Sequence, residues 1–85
     1  MIKLIDYFAP WCSPCQMMKP VLDELEKELA GKVEFIKIDI DEKPEEAAKA
    51  GVMSIPTFVV LKDGKEIGRK TGFTSKIELL KLVSS

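Results

Sequence analysis

Hydrophobic and polar positions change their spacing several times along this chain, and the changes divide it into seven segments. Ile2 to Phe8 read Ile-Lys-Leu-Ile-Asp-Tyr-Phe, apolar on both faces for most of their length, as a central strand covered on each side requires. From Ser13 to about Ala30, Met18, Val21, Leu22, Leu25 and Leu29 recur at three- and four-residue steps, and Gly31 supplies a C-terminal stop. That spacing predicts a long amphipathic helix. Pro20 falls inside it and removes the N–H that would bond the carbonyl of Gln16, so a kink is expected there. Val33 to Ile40 form a second β-rich run, and Pro44 opens a short helix that Gly51 closes. Thr57 to Leu61 read as a third strand, joined through Asp63-Gly64 to a fourth around Glu66 to Thr71, since Asp-Gly between extended runs signals a hairpin. Ser75 and Glu78 make a capping box for a last helix, with Ile77, Leu80 and either Leu79 or Val83 directed inward. The order β-α-β-α-β-β-α, with a right-handed crossover between the first two strands, predicts an α/β fold: one four-stranded mixed sheet with helices on both faces. No linker, repeat or low-complexity segment interrupts residues 1–85, so one domain is expected.

The chemistry is concentrated where the first strand gives way to the first helix. Trp11-Cys12-Ser13-Pro14-Cys15 holds both cysteines of the chain. On the first turn of a helix, residues i and i+3 share a face with Cα atoms roughly 5 to 6 Å apart, within the reach of a disulfide. The first cysteine lies beside the unpaired N–H groups and positive end of the helix, which favour thiolate over thiol. Cys12 is therefore the expected nucleophile and Cys15 the resolving thiol. Two ordinary core thiols, or half of a metal site, are the alternatives. Structural zinc takes four ligands, commonly Cys and His, and this chain has two Cys and no His, so such a site would need dimerisation or carboxylates.

Asp6 stands out away from the cysteines. A carboxylate embedded in Leu-Ile-Asp-Tyr-Phe on a central strand is desolvated and hard to ionise, which raises its pKa. At the strand end beneath the dithiol it can take the proton of Cys15, directly or through a water. The alternative is a strand-end carboxylate that reaches solvent. Lys37 interrupts the apolar run of the adjacent strand in the same way, as an ionic partner of Asp6 or as an outward-pointing, snorkelling side chain.

Composition narrows the class further. Of 85 residues, 46% are hydrophobic and 32% charged, enough for a two-layer core with a charged exterior. Thirteen basic and fourteen acidic residues give a net charge of −1, and no stretch gathers enough Lys or Arg for a nucleic-acid or membrane-surface patch. No apolar run approaches the roughly 18 residues of a membrane span, and the N-terminus has no secretory pattern, so the expectation is a cytoplasmic protein. A single close cysteine pair also differs from the several bridges of a stapled secreted scaffold. The absence of Asn and His beside abundant Lys and Glu is compatible with a heat-adapted source.

In order along the chain, Asp6-Tyr7-Phe8-Ala9-Pro10-Trp11-Cys12-Ser13-Pro14-Cys15, Pro20, Asp39-Ile40-Asp41, Ser54-Ile55-Pro56-Thr57, Lys62-Asp63-Gly64 and the Gly72 region resemble the thioredoxin family. The resemblance covers nearly the whole chain and is nearest to small prokaryotic and archaeal thioredoxins. It departs from the family in lacking the usual first strand and helix, in Phe8 where many members carry a second tryptophan, and in Ser13 where Gly is common.

The resemblance implies a thioredoxin-like fold, a reversible Cys12–Cys15 dithiol that reduces disulfides in other proteins, and a buried aspartate at Asp6 with Lys37 as its partner. It also implies a cis Pro56, with Ile55 offering its peptide N–H and C=O to an extended substrate strand. Trp11, Ile55, Gly72 and Phe73 would ring the dithiol, while Ser13 and Pro14 tune it, Pro14 by fixing helix geometry. A core role for Trp11 or Phe73 is the competing reading. The implied partners are disulfide-containing proteins and a thioredoxin reductase; no bound cofactor is expected, and the chain is expected to be a monomer. The rival functions are a glutathione-dependent, glutaredoxin-like enzyme and a non-catalytic binding module of the same fold.

Overall fold

A computed structural model of the chain describes residues 1–84. Its elements are β1 (Ile2–Phe8), α1 (Ser13–Met17), α2 (Lys19–Glu28), β2 (Val33–Asp39), α3 (Pro44–Lys49), β3 (Thr57–Lys62), β4 (Lys65–Thr71) and α4 (Lys76–Val83). The strands form one mixed sheet in the order β2-β1-β3-β4. β1 runs parallel to β2 and antiparallel to β3, and β3 pairs antiparallel with β4. β1 is a central strand whose two faces are both covered by packed side chains, which explains why it is apolar on both.

Alternation along the strands builds two cores. On one face Leu4, Phe58 and Val60 pack with Met18, Leu22 and Leu25 from the first helical segment and with Leu79 and Val83 of α4. On the other face Tyr7, Ile38 and Val59 pack with Ala47 of α3. The helices thus cover both faces of the sheet. Its two edges, β2 and β4, carry charge: Glu34 and Lys37 on the first, Lys65, Glu66, Arg69 and Lys70 on the second. The hairpin between β3 and β4 turns at Asp63 (φ 52°) and Gly64 (φ 85°), two consecutive left-handed residues as a type I′ turn demands. No helix among the described residues is long and apolar enough to cross a membrane.

Two details differ from the sequence reading. The helix predicted to kink at Pro20 is interrupted at Met18, so that α1 and α2 are separate helices and Pro20 lies in the first turn of the second. A proline ring clashes with the carbonyl one turn earlier, so its effect falls N-terminal to the proline itself. The Met18 N–H instead bonds back to the carbonyl of Cys15 at 3.1 Å. In α4, Ile77 points outward, 65% exposed, while Leu79 and Val83 are buried. Leu79 and Val83, four apart, define the inward stripe, and Ile77 lies two residues, about 200° of helix rotation, from Leu79.

Candidate active site

The sheet delivers the cysteines to one end of its central strand. β1 stops at Phe8, the chain turns through Ala9 and Pro10, and the Cys12 N–H bonds the Ala9 carbonyl at 3.1 Å. Cys12 is the N-cap of α1, in extended conformation, and its Sγ accepts the Cys15 backbone N–H at 3.2 Å. A sulfur in this position receives one of the free donors at the helix start, an environment that favours negative charge on it once the bond opens. Pro14 occupies the first turn, where its missing N–H costs nothing. Cys12 and Cys15 are joined in a disulfide, their Cα atoms 5.2 Å apart. Both are buried with Ala9, and Phe8, Ile40 and Ile55 pack against them.

The side chains packed against the disulfide are apolar, whereas two large aromatics of the sequence reading stay exposed to solvent. Trp11 is 67% exposed and Phe73 53%, so neither serves the core. The Trp11 indole N–H donates to Asp41 Oδ2 at 2.8 Å, which fixes the ring beside the cysteines. Ser13 is exposed and adds no bulk to the turn. The Ile55–Pro56 peptide is cis. This segment is held on both sides: Thr57 Oγ1 donates to the Ser54 carbonyl at 2.6 Å, and the Gly72 N–H donates to the Pro56 carbonyl at 2.7 Å. Gly72 has φ +86°, a conformation that a side chain would strain.

On the α2 side of the sheet, a cavity of about 340 Å³ is lined by Asp6, Cys15, Gln16, Lys19, Leu22 and Lys37 among others. Asp6 is 7% exposed and its Oδ1 makes no hydrogen bond. Burial raises its pKa from an ordinary 3.8 to about 6, against the opposing pull of the Lys37 charge. Lys37 is the β2 register partner of Asp6 but is exposed and forms no ion pair with it. Lys37 lines the same cavity as Asp6 and keeps its ammonium solvated, since solvation outweighs burial beside a single carboxylate. It acts on Asp6 through space, from the rim of the cavity.

Cys12, Cys15, Ile55, Trp11 and Asp6 are therefore brought around one disulfide and its cavity, with Pro56 and Gly72 bonded to each other beside Ile55. Three contributors were not legible as site residues. Asp41 was visible only as part of a family-like motif, and nothing in its local pattern points to the Trp11 indole. Gln16 and Lys19 fall outside the apolar positions that define the helix; Gln16 donates to the Pro10 carbonyl at 2.7 Å, bracing the turn before Cys12.

Comparison with known proteins agrees with this geometry. The Thioredoxin family model matches residues 1–85. The thioredoxin of Bacillus subtilis (strain 168) is 51% identical over 83 residues, covering 98% of this chain and 80% of that protein. The thioredoxin of Staphylococcus haemolyticus is 46% identical over 82 residues, 96% of this chain and 79% of that protein. Among solved structures, oxidised mitochondrial thioredoxin 3 of Saccharomyces cerevisiae superposes with a TM-score of 0.90 at 40% identity, covering 98% of this chain and 76% of that one. The thioredoxin of Fasciola hepatica gives 0.90 at 41%, with 98% and 78% covered. A buried Cys-X-X-Cys disulfide at a helix start, on this sheet and in this family, is the working pair of a protein thiol-disulfide oxidoreductase. The chain belongs to the thioredoxin family.

Proposed function

We propose that this chain is a single-domain, monomeric, cytoplasmic reductant of protein disulfides, carrying electrons from a thioredoxin reductase to its substrates. The observation that supports it best is the junction at the disulfide: Cys12 at the helix start, Ile55 packed against the pair, and the Asp6 cavity reaching Cys15. In the reduced protein the Cys12 thiolate attacks one sulfur of a substrate disulfide, forming a mixed disulfide and releasing the other sulfur as thiolate. Asp6 accepts the proton of Cys15, and Cys15 then attacks the Cys12 sulfur. The second substrate sulfur leaves as thiolate and the Cys12–Cys15 bond is restored; the two substrate thiolates become thiols by taking up the proton held on Asp6 and one proton from water. Two electrons have passed from the dithiol to the substrate, and the reductase must return them.

Substrate segments dock as an extended strand on the Ile55 peptide, with Trp11 and Phe73 as apolar flanks. Phe73→Ser removes one flank from an exposed position, so stability should hold. KM for insulin should rise about threefold to tenfold, while the rate with the small disulfide cystine stays unchanged. An unchanged KM for insulin would remove Phe73 from the docking face. The direction of electron flow is tested by equilibrating the dithiol in dithiothreitol buffers, followed by alkylation and mass measurement. A midpoint at or below the cytosolic glutathione poise, roughly −220 to −320 mV depending on method, is expected of a reductant. A value well above it would make the protein an oxidant or a glutathione-coupled enzyme.

A further inference from the structure

Behind the disulfide, at the break between α1 and α2, Met18 is fully buried at 0% exposure. Its side chain does more than fill the core. Met18 Sδ accepts the backbone N–H of Thr74 at 3.5 Å, and Thr74 is itself 2% exposed. Thioethers are weak acceptors, and a buried amide is normally paired with oxygen. The Thr74 amide has this sulfur as its acceptor, so the contact joins the 72–74 loop to the α1–α2 break.

The bond is one link of a continuous series. The Met18 N–H bonds the Cys15 carbonyl at 3.1 Å. Met18 Sδ accepts from Thr74 N–H. Thr74 Oγ1 donates to the Gly72 carbonyl at 3.0 Å, and the Gly72 N–H donates to the Pro56 carbonyl at 2.7 Å. The series starts at the resolving cysteine and ends at the proline after Ile55, the residue proposed to pair with substrate. It runs through the protein interior and involves no charged group.

We infer that Met18 is a positioning residue: its sulfur ties the dithiol helix to the Gly72–Thr74 and Ile55–Pro56 segments and so sets the distance between the reacting sulfurs and the docking strand. The inference rests on the strand-docking reading above. An apolar residue of equal volume keeps the core packing but leaves the Thr74 N–H buried without an acceptor. The loop then shifts to recover a partner, and the register between docked strand and Cys12 is lost. A small disulfide, which needs no docking strand, is indifferent to that shift.

The test compares Met18→Leu with Met18→Gln in the reduced full-length protein, using insulin and cystine as substrates. Met18→Leu is expected to raise KM for insulin about threefold to tenfold with kcat nearly unchanged, leave cystine reduction unaltered, and speed hydrogen exchange at the Thr74 amide. Met18→Gln places an amide oxygen at similar reach. It is expected to lower the melting temperature, because a polar group enters the core, yet to bring the insulin KM back toward wild type. If KM instead tracks the melting temperature across the two variants, Met18 is a packing residue and the inference is overturned. Should Met18→Gln not fold, Thr74 exchange in Met18→Leu decides: wild-type protection there overturns the inference. Phe73→Ser separates the two layers, since a raised KM in that variant with normal Met18→Leu kinetics removes the Met18 link alone.

Discussion

A Cys15→Ser variant will accumulate covalent complexes with its substrates through Cys12. Serine keeps the shape of the turn, and its hydroxyl cannot attack a disulfide near neutral pH, so the first step proceeds and the second does not. Cys12 remains the N-cap whose sulfur faces the helix-start donor. Multiple-turnover reduction of insulin should fall by at least about a hundredfold, while one equivalent of mixed disulfide forms per chain. Non-reducing electrophoresis and intact mass will show the adduct, and dithiothreitol will release it. The Cys12→Ser variant should form none. Adducts that require Cys15 and persist without Cys12 would reverse the two roles.

Asp6→Asn will slow release of that adduct while making the protein more stable, an opposition that a purely structural residue does not produce. The kinetic half follows from position. Asp6 shares a cavity with Cys15 and has a free Oδ1, so it is placed to take the proton that must leave before Cys15 attacks. A positioned base supplies roughly a hundred- to ten-thousandfold. A free thiol also ionises partly in neutral water, so about tenfold to a hundredfold slower resolution at pH 7 is expected. Single-turnover kinetics should show the first attack by Cys12 little changed. The wild-type resolution rate should climb as pH passes through about 6, where Asp6 ionises, and the variant should lack that rise. Equal slowing of both steps would remove Asp6 from this role.

The stability half follows from linkage. The folded protein holds the Asp6 proton more tightly than the unfolded chain, so the ionised carboxylate is a cost that only the folded state bears. Below the ordinary value of 3.8 both states are protonated and the cost is absent; it grows as pH rises toward about 6 and is constant above. At 1.36 kcal/mol for each pH unit between those values it reaches about 3 kcal/mol. Asp6→Asn should therefore raise unfolding free energy by up to about 3 kcal/mol at pH 7 and by almost nothing at pH 3. Denaturant melts at the two pH values measure the difference.

Much of this site could be read before the structure, because its residues break local rules. A charge inside an apolar strand and a thiol pair at helical spacing conflict with their neighbours, and the conflict marked Asp6, Cys12 and Cys15. The strands and helices were legible for the opposite reason: their periods agreed with turn and cap residues at nearly every boundary. What could not be read depends on directions in space. The interruption at Met18 shows only when the ring of Pro20 is set against the turn before it. The outward turn of Ile77 depends on which of five apolar residues in α4 faces the sheet. The Trp11–Asp41 and Met18–Thr74 bonds join residues 30 and 56 positions apart, and neither partner's sequence neighbourhood hints at the other.

The charged outer strands bear on the company this protein keeps. A reductant of protein disulfides meets chains that are partly unfolded and rich in unpaired strands, the species most prone to zip onto any open sheet. Glu34 and Lys37 on β2, and Lys65, Glu66, Arg69 and Lys70 on β4, make both long borders poor templates. Under the proposed docking mode, strand pairing with a client is then confined to the short stretch at Ile55. A client can be gripped long enough for two sulfur exchanges, yet finds no ladder along which to grow into an aggregate.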